Sequence, residues 1–181
     1  MKKPKMNSKS PDKDRCQTPP YAMTPLYPYI STDKVILEPA AGQGLMAATL
    51  TSHGYKVITG DIETGQDFFK HTYTNWDVLV TNPPYSIKYK WLDRCIELGK
   101  PFALLMPGET IYAQKYAKHA LKFGFEVLAP SARINFKMPN MGWGGRGSTF
   151  PTAWFTYGLG VGTPFKYVTI YPVNMKDFGV A

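Results

Sequence analysis

The sequence predicts a single α/β domain of the Rossmann-like class, in which a mostly parallel sheet has helices on both faces. Apolar, β-branched runs alternate with helix-forming segments along residues 35–121, and this alternation implies right-handed crossovers between parallel strands. The runs are almost continuously apolar, as expected for strands that are buried on both faces. A tight turn with two glycines, Gly42 and Gly44, joins the first run directly to a helix. These three features together predict the fold class.

The predicted elements follow from local patterns of apolar residues and from the glycines and prolines that separate them. A short helix at residues 26–30 precedes the first strand, at residues 35–37. The remaining elements, in order, are a helix at 45–52, a strand at 56–59, a short helix at 64–70, a strand at 77–81, a helix at 87–98, a strand at 102–106, a helix at 110–121 and strands at 125–128 and 153–157.

Length and composition are those of an ordinary globular domain. The chain has 181 residues, of which 44% are hydrophobic and 19% charged, so one core is enough. No apolar run approaches the roughly 18 residues of a membrane helix, and no secretory signal precedes the domain. We therefore expect a cytoplasmic protein without a membrane partner. Two cysteines and three scattered histidines predict neither a disulfide scaffold nor a metal site.

The positive charge is concentrated at the N-terminus. Residues 1–15 carry six positive and two negative charges, which is half of the net charge of +8. We interpret this segment as a disordered basic tail, with the domain itself at residues 16–181. Such a tail can contact a phosphate backbone, although a terminus that only adds solubility has the same composition.

The first half of the domain has the residues of a cofactor site. Glycines at 42 and 44 allow a sharp turn and a close approach to a ligand. Asp61 follows the second strand, at the distance where an acid accepts the ribose hydroxyls of an adenosine. Glu38 ends the first strand, where a carboxylate suits the ammonium of a methionine moiety better than it suits a pyrophosphate. The pattern therefore favours S-adenosylmethionine over NAD.

Residues after Asp61 are further candidates for contacts with the adenine of the cofactor. Ile62 is its neighbour, Asp67 offers an acceptor to the adenine amine, and Phe68 offers an apolar wall for the ring. An acid at the start of a predicted helix is also an ordinary feature, so Asp67 has a purely structural interpretation as well.

The sequence Asn82-Pro83-Pro84-Tyr85 follows the third strand and has the residue types for methylating a conjugated amine. The lone pair of such an amine is delocalised and therefore a poor nucleophile. Two acceptors, the Asn82 side-chain oxygen and the Pro83 carbonyl, favour the pyramidal form whose lone pair attacks a sulfonium methyl. The prolines hold these acceptors in place, and Tyr85 offers a face on which a base stacks.

The order of these motifs resembles that of the amino-methyltransferase branch of the class I S-adenosylmethionine-dependent methyltransferases, and most of all compact phage or prophage DNA adenine methyltransferases. The resemblance covers roughly residues 15–157 and implies the class I methyltransferase fold and methylation of adenine N6. It implies that Thr18 and Pro20 close over the methionine end of the cofactor. It also implies that Glu38, Ala40, Gly42 and Gly44 line that end, that Asp61 holds the ribose, and that the residues from Asn82 to Tyr85 form the target pocket.

Four residues are candidate contacts for nucleic acid. Lys88 and Lys90 follow the target motif, and Trp143 and Arg146 lie in a glycine-rich loop suited to wrapping a strand. The same residues would also be found in a chain where the lysines are ordinary solvated side chains and the loop is a flexible surface loop without a nucleic-acid contact. From its position, Phe150 is expected to bring an aromatic ring to the target pocket.

Several functions remain open. RNA adenine and the glutamine amide of a release factor both present a planar, conjugated nitrogen, so both are alternative substrates. The enzymes that methylate release factors are larger, however, with a helical domain before the first strand. An inactive partner subunit is a further alternative, against which the intact target motif argues. Methylation of a cytosine carbon needs a thiolate, and we expect Cys16 and Cys95 to lie far from the loops at the strand ends. No segment is long enough for the recognition domain of restriction-type enzymes, so the sequence leaves open which nucleic acid is bound.

Overall fold

A computed structural model of the chain describes residues 14–138, 142–143 and 150–172. The predicted basic tail up to residue 13 lies outside the described residues, as does Arg146. Trp143 is described for its backbone only.

Seven strands form one sheet in the order β2-β1-β3-β4-β8-β5-β9. Neighbouring strands are parallel, except that β8 is antiparallel to both β4 and β5. A separate antiparallel pair is formed by β6 and β7. The strands are β1 Val35–Glu38, β2 Lys56–Thr59, β3 Val78–Thr81, β4 Phe102–Pro107, β5 Glu126–Pro130, β6 Lys137–Met138, β7 Gly142–Trp143, β8 Thr152–Tyr157 and β9 Phe165–Val168.

Helices cover both faces of this sheet. The three α-helices are α1 Leu45–Ser52, α2 Lys88–Leu98 and α3 Gln114–Phe123. On one face α1 and the 3₁₀ helix Pro20–Leu26 pack against side chains such as Ile36 and Leu105. On the other face α2 and α3 pack against their sheet neighbours Leu37 and Leu104. Successive strand residues thus enter opposite cores, as side chains of a pleated strand do. The mostly parallel sheet with two covered faces confirms the predicted fold class.

The helix predicted at residues 64–70 is wrong. The chain instead forms a 3₁₀ helix, Ile62–Thr64, and a turn at residues 67–70. Asp61 and Asp67 each accept a hydrogen bond from the backbone two residues later, at 2.8 and 3.0 Å. Gly65 then takes a left-handed φ of 82°. Side chains that bond the local backbone in this way favour turns over helix.

Two other predicted helices are shifted or divided. The helix predicted at 26–30 is found earlier, as the 3₁₀ helix Pro20–Leu26, which contains Pro25. The helix predicted at 110–121 is divided at Ala113 into the 3₁₀ helix Gly108–Tyr112 and α3. The remaining predicted strands and helices are found within a few residues of their expected bounds. The strands β6, β7 and β9 were not predicted.

The direction of β8 determines what reaches the carboxyl edge of the sheet. Strands β1, β3 and β4 end at this edge, whereas the antiparallel β8 begins there, with Thr152 paired to Pro107. Phe150 and Pro151, which directly precede β8, therefore lie beside the loops that follow the parallel strands. Ligands bind at this edge in open α/β sheets.

Candidate functional site

A small cavity lies at the carboxyl ends of the neighbouring strands β1 and β3. Its volume is about 20 Å³, which is room for about one water molecule. Glu38, the last residue of β1, and Asn82, the first residue after β3, both line it. The complete lining is Cys16, Gln17, Thr18, Glu38, Ala40, Ala41, Met46 and Asn82. Four residues that the sequence assigned to the cofactor or the target therefore share one cavity.

Glu38 is a buried carboxyl group with an unpartnered oxygen. The residue is 2% exposed, and its Oε2 atom has no hydrogen-bond partner among the described residues. Burial raises the pKa of Glu38 to about 8; a backbone hydrogen bond from Ala47 opposes the rise and the nearby charge of Asp61 adds to it. A buried carboxyl with one unpartnered oxygen favours a cationic ligand, because a cation would stabilise its charged form.

The glycine turn before α1 is tied to the end of β2 by Asp61. Gly42 and Gly44 have φ angles of 53° and 80°, which side chains other than glycine rarely adopt. The Gly42 backbone N–H donates to Asp61 Oδ2 at 2.8 Å, and Glu63 N–H donates to Asp61 Oδ1 at 2.8 Å. Each carboxylate oxygen keeps a further acceptor position. Asp61 is therefore placed to hold the turn and still accept from a ligand.

The remaining candidates for the adenine subsite lie in different surroundings. Ile62 is 71% exposed beside Asp61. Asp67 accepts from the backbone of Phe69 and pairs with Lys70 at 3.6 Å, which is the contact pattern of an ordinary turn residue. Phe68 is 3% exposed and stacks on Trp91 of α2, with ring centroids 4.3 Å apart. Its contacts are those of a core residue.

The target loop, residues 82–86, is held by a hydrogen bond at its first residue. Asn82 Nδ2 donates to the Thr18 hydroxyl oxygen at 3.1 Å, while Asn82 Oδ1 is buried without a partner in the described part of the chain. Pro83 is buried and Pro84 has a φ of −54°. The loop thus presents a buried, unused acceptor from a backbone that two prolines restrict.

Tyr85 and Phe150 meet at the far side of this loop. Their rings are in edge-to-face contact, with centroids 5.8 Å apart and planes at 68°. Burial, followed by the charges of Cys16, Glu109 and Asp14, raises the pKa of Tyr85 well above its usual range, so its hydroxyl stays neutral. The expectation that Phe150 brings a ring to this loop agrees with this contact.

The prediction that Cys16 lies far from the strand-end loops is wrong. Cys16 lines the cavity with Glu38 and Asn82, because the segment before Pro19 crosses the carboxyl ends of β1 and β3. Burial and the charge of Asp14 raise the pKa of its thiol to about 11. A thiol with this pKa is not a thiolate near neutral pH, and Cys95 is fully inside the core. Carbon methylation by a cysteine nucleophile is therefore still disfavoured, for a different reason.

The candidate nucleic-acid contacts are only partly described. Lys88 and Lys90 lie in the first turn of α2, directly after the target loop. Lys88 sits over the Tyr89 ring at 5.0 Å, and Lys115 of α3 sits over the same ring at 5.9 Å. Lys90 is exposed. The side chain of Trp143 and all of Arg146 lie outside the described residues.

Sequence reasoning missed the residues just before Thr18. Gln17 places its Nε2 atom 2.8 Å from the position that a Cβ on Gly42 would occupy, and its backbone pairs with Lys137. No pattern in the sequence connects these positions. Within the described ranges, no cluster of three or more metal-ligating side chains is found, and no helix has the length and apolar character needed to cross a membrane.

No protein-family model matches the chain, and no curated protein sequence matches it significantly. Among solved structures, a “modification subunit of a putative type I restriction enzyme” from Vibrio vulnificus aligns over 91% of this chain, with a TM-score of 0.51 and 11% sequence identity. The chain spans 49% of the length of that subunit. This likeness shows a shared fold, in agreement with the sheet described above.

Two further structures align with lower TM-scores. A “putative RNA methyltransferase” from Pyrococcus horikoshii aligns over 68% of this chain and 72% of its own, with a TM-score of 0.42 and 15% identity. A “predicted O-methyltransferase” from Agrobacterium tumefaciens aligns over 78% of this chain and 80% of its own, with a TM-score of 0.37 and 14% identity. The shared fold rests on the first alignment.

Proposed function

We propose that this chain is an S-adenosylmethionine-dependent methyltransferase that acts on the exocyclic N6 amine of adenine in DNA, with the base flipped out or single-stranded. One observation carries the proposal. The buried, unpartnered Oδ1 of Asn82 and the buried, unpartnered Oε2 of Glu38 belong to residues that line the same cavity at the carboxyl edge of the sheet. One is a neutral acceptor suited to an amine, and the other is an acid suited to a cation.

The cofactor half of the site fits S-adenosylmethionine. Glu38 would hold the ammonium, the turn at Gly42 and Gly44 would let the backbone approach the ligand, and Asp61 would accept the ribose hydroxyls. When bound, the cofactor supplies an electrophilic methyl group on a sulfonium. The present cavity holds about one water molecule, so side chains that line it would have to move for the methionine end to bind.

The target half supplies acceptors and a stacking surface. Asn82 Oδ1 and the Pro83 carbonyl would accept the two N–H groups of the adenine amine, so that its lone pair is directed at the methyl carbon. Tyr85 and Phe150 would support the base. In this reaction a nitrogen–carbon bond would form as the carbon–sulfur bond breaks, and the methylated amine would then lose its surplus proton to water. The step requires no protein base and no covalent nucleophile.

Charge and motif order favour DNA among the planar nitrogen substrates. The chain has a net charge of +8. Lys88 of α2 lies over the Tyr89 ring next to the target loop, and Lys115 of α3, which pairs with Asp93, lies over the same ring. A polyanion is therefore a better partner than a protein amide. The resemblance in motif order to phage DNA adenine methyltransferases favours DNA over RNA.

Incubation with radiolabelled S-adenosylmethionine and one polymer at a time tests the proposal. Single-stranded DNA, duplex DNA, RNA and a release factor are compared, and labelled nucleic acid is digested to identify the modified nucleoside. We expect label in DNA as N6-methyladenine and none with an Asn82→Ala variant. Label in RNA or in the release factor would replace the proposed substrate, and cofactor binding without label in any polymer would indicate an inactive partner subunit.

A further inference from the structure

The short segment from Asp14 to Thr18 contacts both halves of the site. Asp14 and Thr18 bond to the target loop, at Ser86 and Asn82. Arg15 and Gln17 contact the cofactor half: Arg15 pairs with Glu63 at 2.6 Å, and Gln17 lies against Gly42. The backbone of Gln17 is anchored by two hydrogen bonds to Lys137, of 2.9 and 3.0 Å. The segment is therefore held independently of the loop that it contacts.

Thr18 engages one end of the Asn82 amide. Thr18 is 4% exposed, and its hydroxyl oxygen accepts a hydrogen bond from Asn82 Nδ2. This bond engages the NH₂ end of the amide and leaves Oδ1 as the unused atom. With the amide rotated by 180°, two N–H donors would meet an amine that is itself a donor, and the amine could not be held.

Asp14 holds the opposite end of the same loop. Its carboxylate accepts from the Ser86 hydroxyl at 2.6 Å and more weakly from the Ser86 backbone N–H at 3.4 Å. Between the two attached residues, Asn82 and Ser86, lie only Pro83, Pro84 and Tyr85. Since each proline restricts its own φ, fixing both ends leaves this stretch little freedom.

We propose that Thr18 and Asp14 are positioning residues for the target loop, and that Thr18 orients the Asn82 amide so that Oδ1 accepts a hydrogen bond from the target amine. This inference rests on the proposed function of the site. It differs from the role that the motif resemblance implies for Thr18, which is a contact with the methionine end of the cofactor.

The test uses variants that change the hydroxyl of Thr18 with little change in shape. Thr18→Val removes the acceptor and leaves Asn82 Nδ2 without its partner, whereas Thr18→Ser keeps the hydroxyl. We expect Thr18→Val to lower the single-turnover rate at saturating cofactor about tenfold or more, with cofactor affinity, measured calorimetrically, within about threefold of the wild type. Thr18→Ser should restore most of the rate. Thr51→Val, at an exposed position of α1, serves as the matched control and should change neither quantity.

Asp14→Ala should lower the same rate by a smaller factor, about two- to fivefold, because its bonds to Ser86 are exposed. Asp33→Ala, which removes a carboxylate from an exposed turn, is its control. The opposite pattern for Thr18→Val, weaker cofactor binding with an unchanged rate at saturation, would overturn the inference and assign Thr18 to the cofactor.

A second readout does not depend on activity. The side-chain amide protons of Asn82 should give separate, slowly exchanging NMR signals in the wild type and in Thr18→Ser, and these should move and lose protection in Thr18→Val. Unchanged signals in Thr18→Val would contradict the positioning role. If the wild type methylates none of the polymers, the proposed function fails, and the NMR comparison still decides whether Thr18 orients Asn82.

Discussion

At the scale of single residues, eleven side-chain atoms of the described residues are buried without a hydrogen-bond partner, and of these only Glu38 Oε2 and Asn82 Oδ1 belong to residues that line the cavity. Such atoms reduce stability, because their desolvation is not compensated. A ligand that supplies the missing partner regains this free energy on binding. The two atoms differ in what they accept, because a carboxylate prefers a cation and an amide oxygen prefers a neutral donor. This difference supports separate roles for the two residues within one cavity.

The raised pKa of Glu38 gives a prediction for stability against pH. The pKa is about 8 in the folded chain and 4.5 as its ordinary value, so the unfolded state loses its proton first as pH rises. The contribution of Glu38 to the free energy of unfolding is therefore complete below about pH 4.5 and is lost progressively as the pH rises to about 8. Glu38→Gln removes this loss. Urea unfolding should show the variant gaining a few kcal/mol over the wild type between pH 5 and pH 8. Parallel curves for the two proteins would mean that Glu38 is ionised in the fold.

Asp61 is predicted to affect cofactor binding more than the chemical step. Asp61→Ala removes the proposed ribose acceptor and also the acceptor of the Gly42 and Glu63 backbone N–H groups. We expect cofactor affinity to fall at least tenfold, while the single-turnover rate at saturating cofactor stays within a few-fold. Asp67→Ala is the comparison, because its contacts are those of a turn residue, and it should weaken the cofactor far less. Equal losses for both variants would contradict the assignment of the ribose to Asp61.

At the scale of elements, the glycine turn before α1 contains two glycines with left-handed φ but different surroundings. A Cβ on Gly42 would lie 2.8 Å from Gln17 Nε2, whereas a Cβ on Gly44 would have no neighbour within 4 Å among the described residues. Both alanine variants carry the conformational penalty, of about 1–2 kcal/mol. Only the Gly42 variant also displaces the Gln17 side chain.

The prediction is that Gly42→Ala destabilises the fold more than Gly44→Ala does, by about 0.5–1 kcal/mol in chemical unfolding. Adding Gln17→Ala to Gly42→Ala should remove this excess, because the clash then disappears. If the double variant keeps the full excess, Gln17 does not occupy the position beside Gly42.

The elements that could be predicted are those whose buried positions appear in the sequence as runs of apolar residues. The strands β1, β3 and β4 are continuous apolar runs because both faces are covered, and their ends locate Glu38 and Asn82. The edge strand β9 has mostly exposed side chains and therefore lacks an apolar pattern. The antiparallel direction of β8 could not be predicted either, since an apolar run has the same composition in both directions.

Contacts between distant positions explain what was missed in the site. Thr18 and Asn82 are 64 positions apart, and Asp14 and Ser86 are 72 apart. Neither pair is visible in local spacing. Motif order placed Thr18 near the cofactor, while its hydrogen-bond partner lies in the target loop. The error on Cys16 has the same origin, because nothing local indicates that the segment before Pro19 crosses the strand ends.

At the scale of the whole molecule, positive charge is the property that we expect to affect binding of the polymer substrate. Residues 1–11 contain four lysines and no acidic residue, and their removal leaves Asp14 and Arg15 in place. We expect this deletion to weaken binding to single-stranded DNA and to flatten the dependence of log affinity on log salt by up to about three units, as roughly 0.7 per lost phosphate contact implies. Full-length protein with the same four lysines changed to glutamine should behave alike. A slope equal to that of the wild type would mean that these residues add solubility only.

The central claim is that Asn82 accepts a hydrogen bond from an adenine amine during methyl transfer, in a chain that binds S-adenosylmethionine through other residues. The most direct measurement follows N6-methyladenine by mass spectrometry in single-stranded DNA incubated with cofactor and either the wild type or Asn82→Ala, together with cofactor affinity for both proteins. We predict N6-methyladenine with the wild type, none with the variant, and cofactor affinities within a few-fold of each other. An Asn82→Ala protein that loses cofactor binding, or one that still forms N6-methyladenine at the wild-type rate, would contradict the claim.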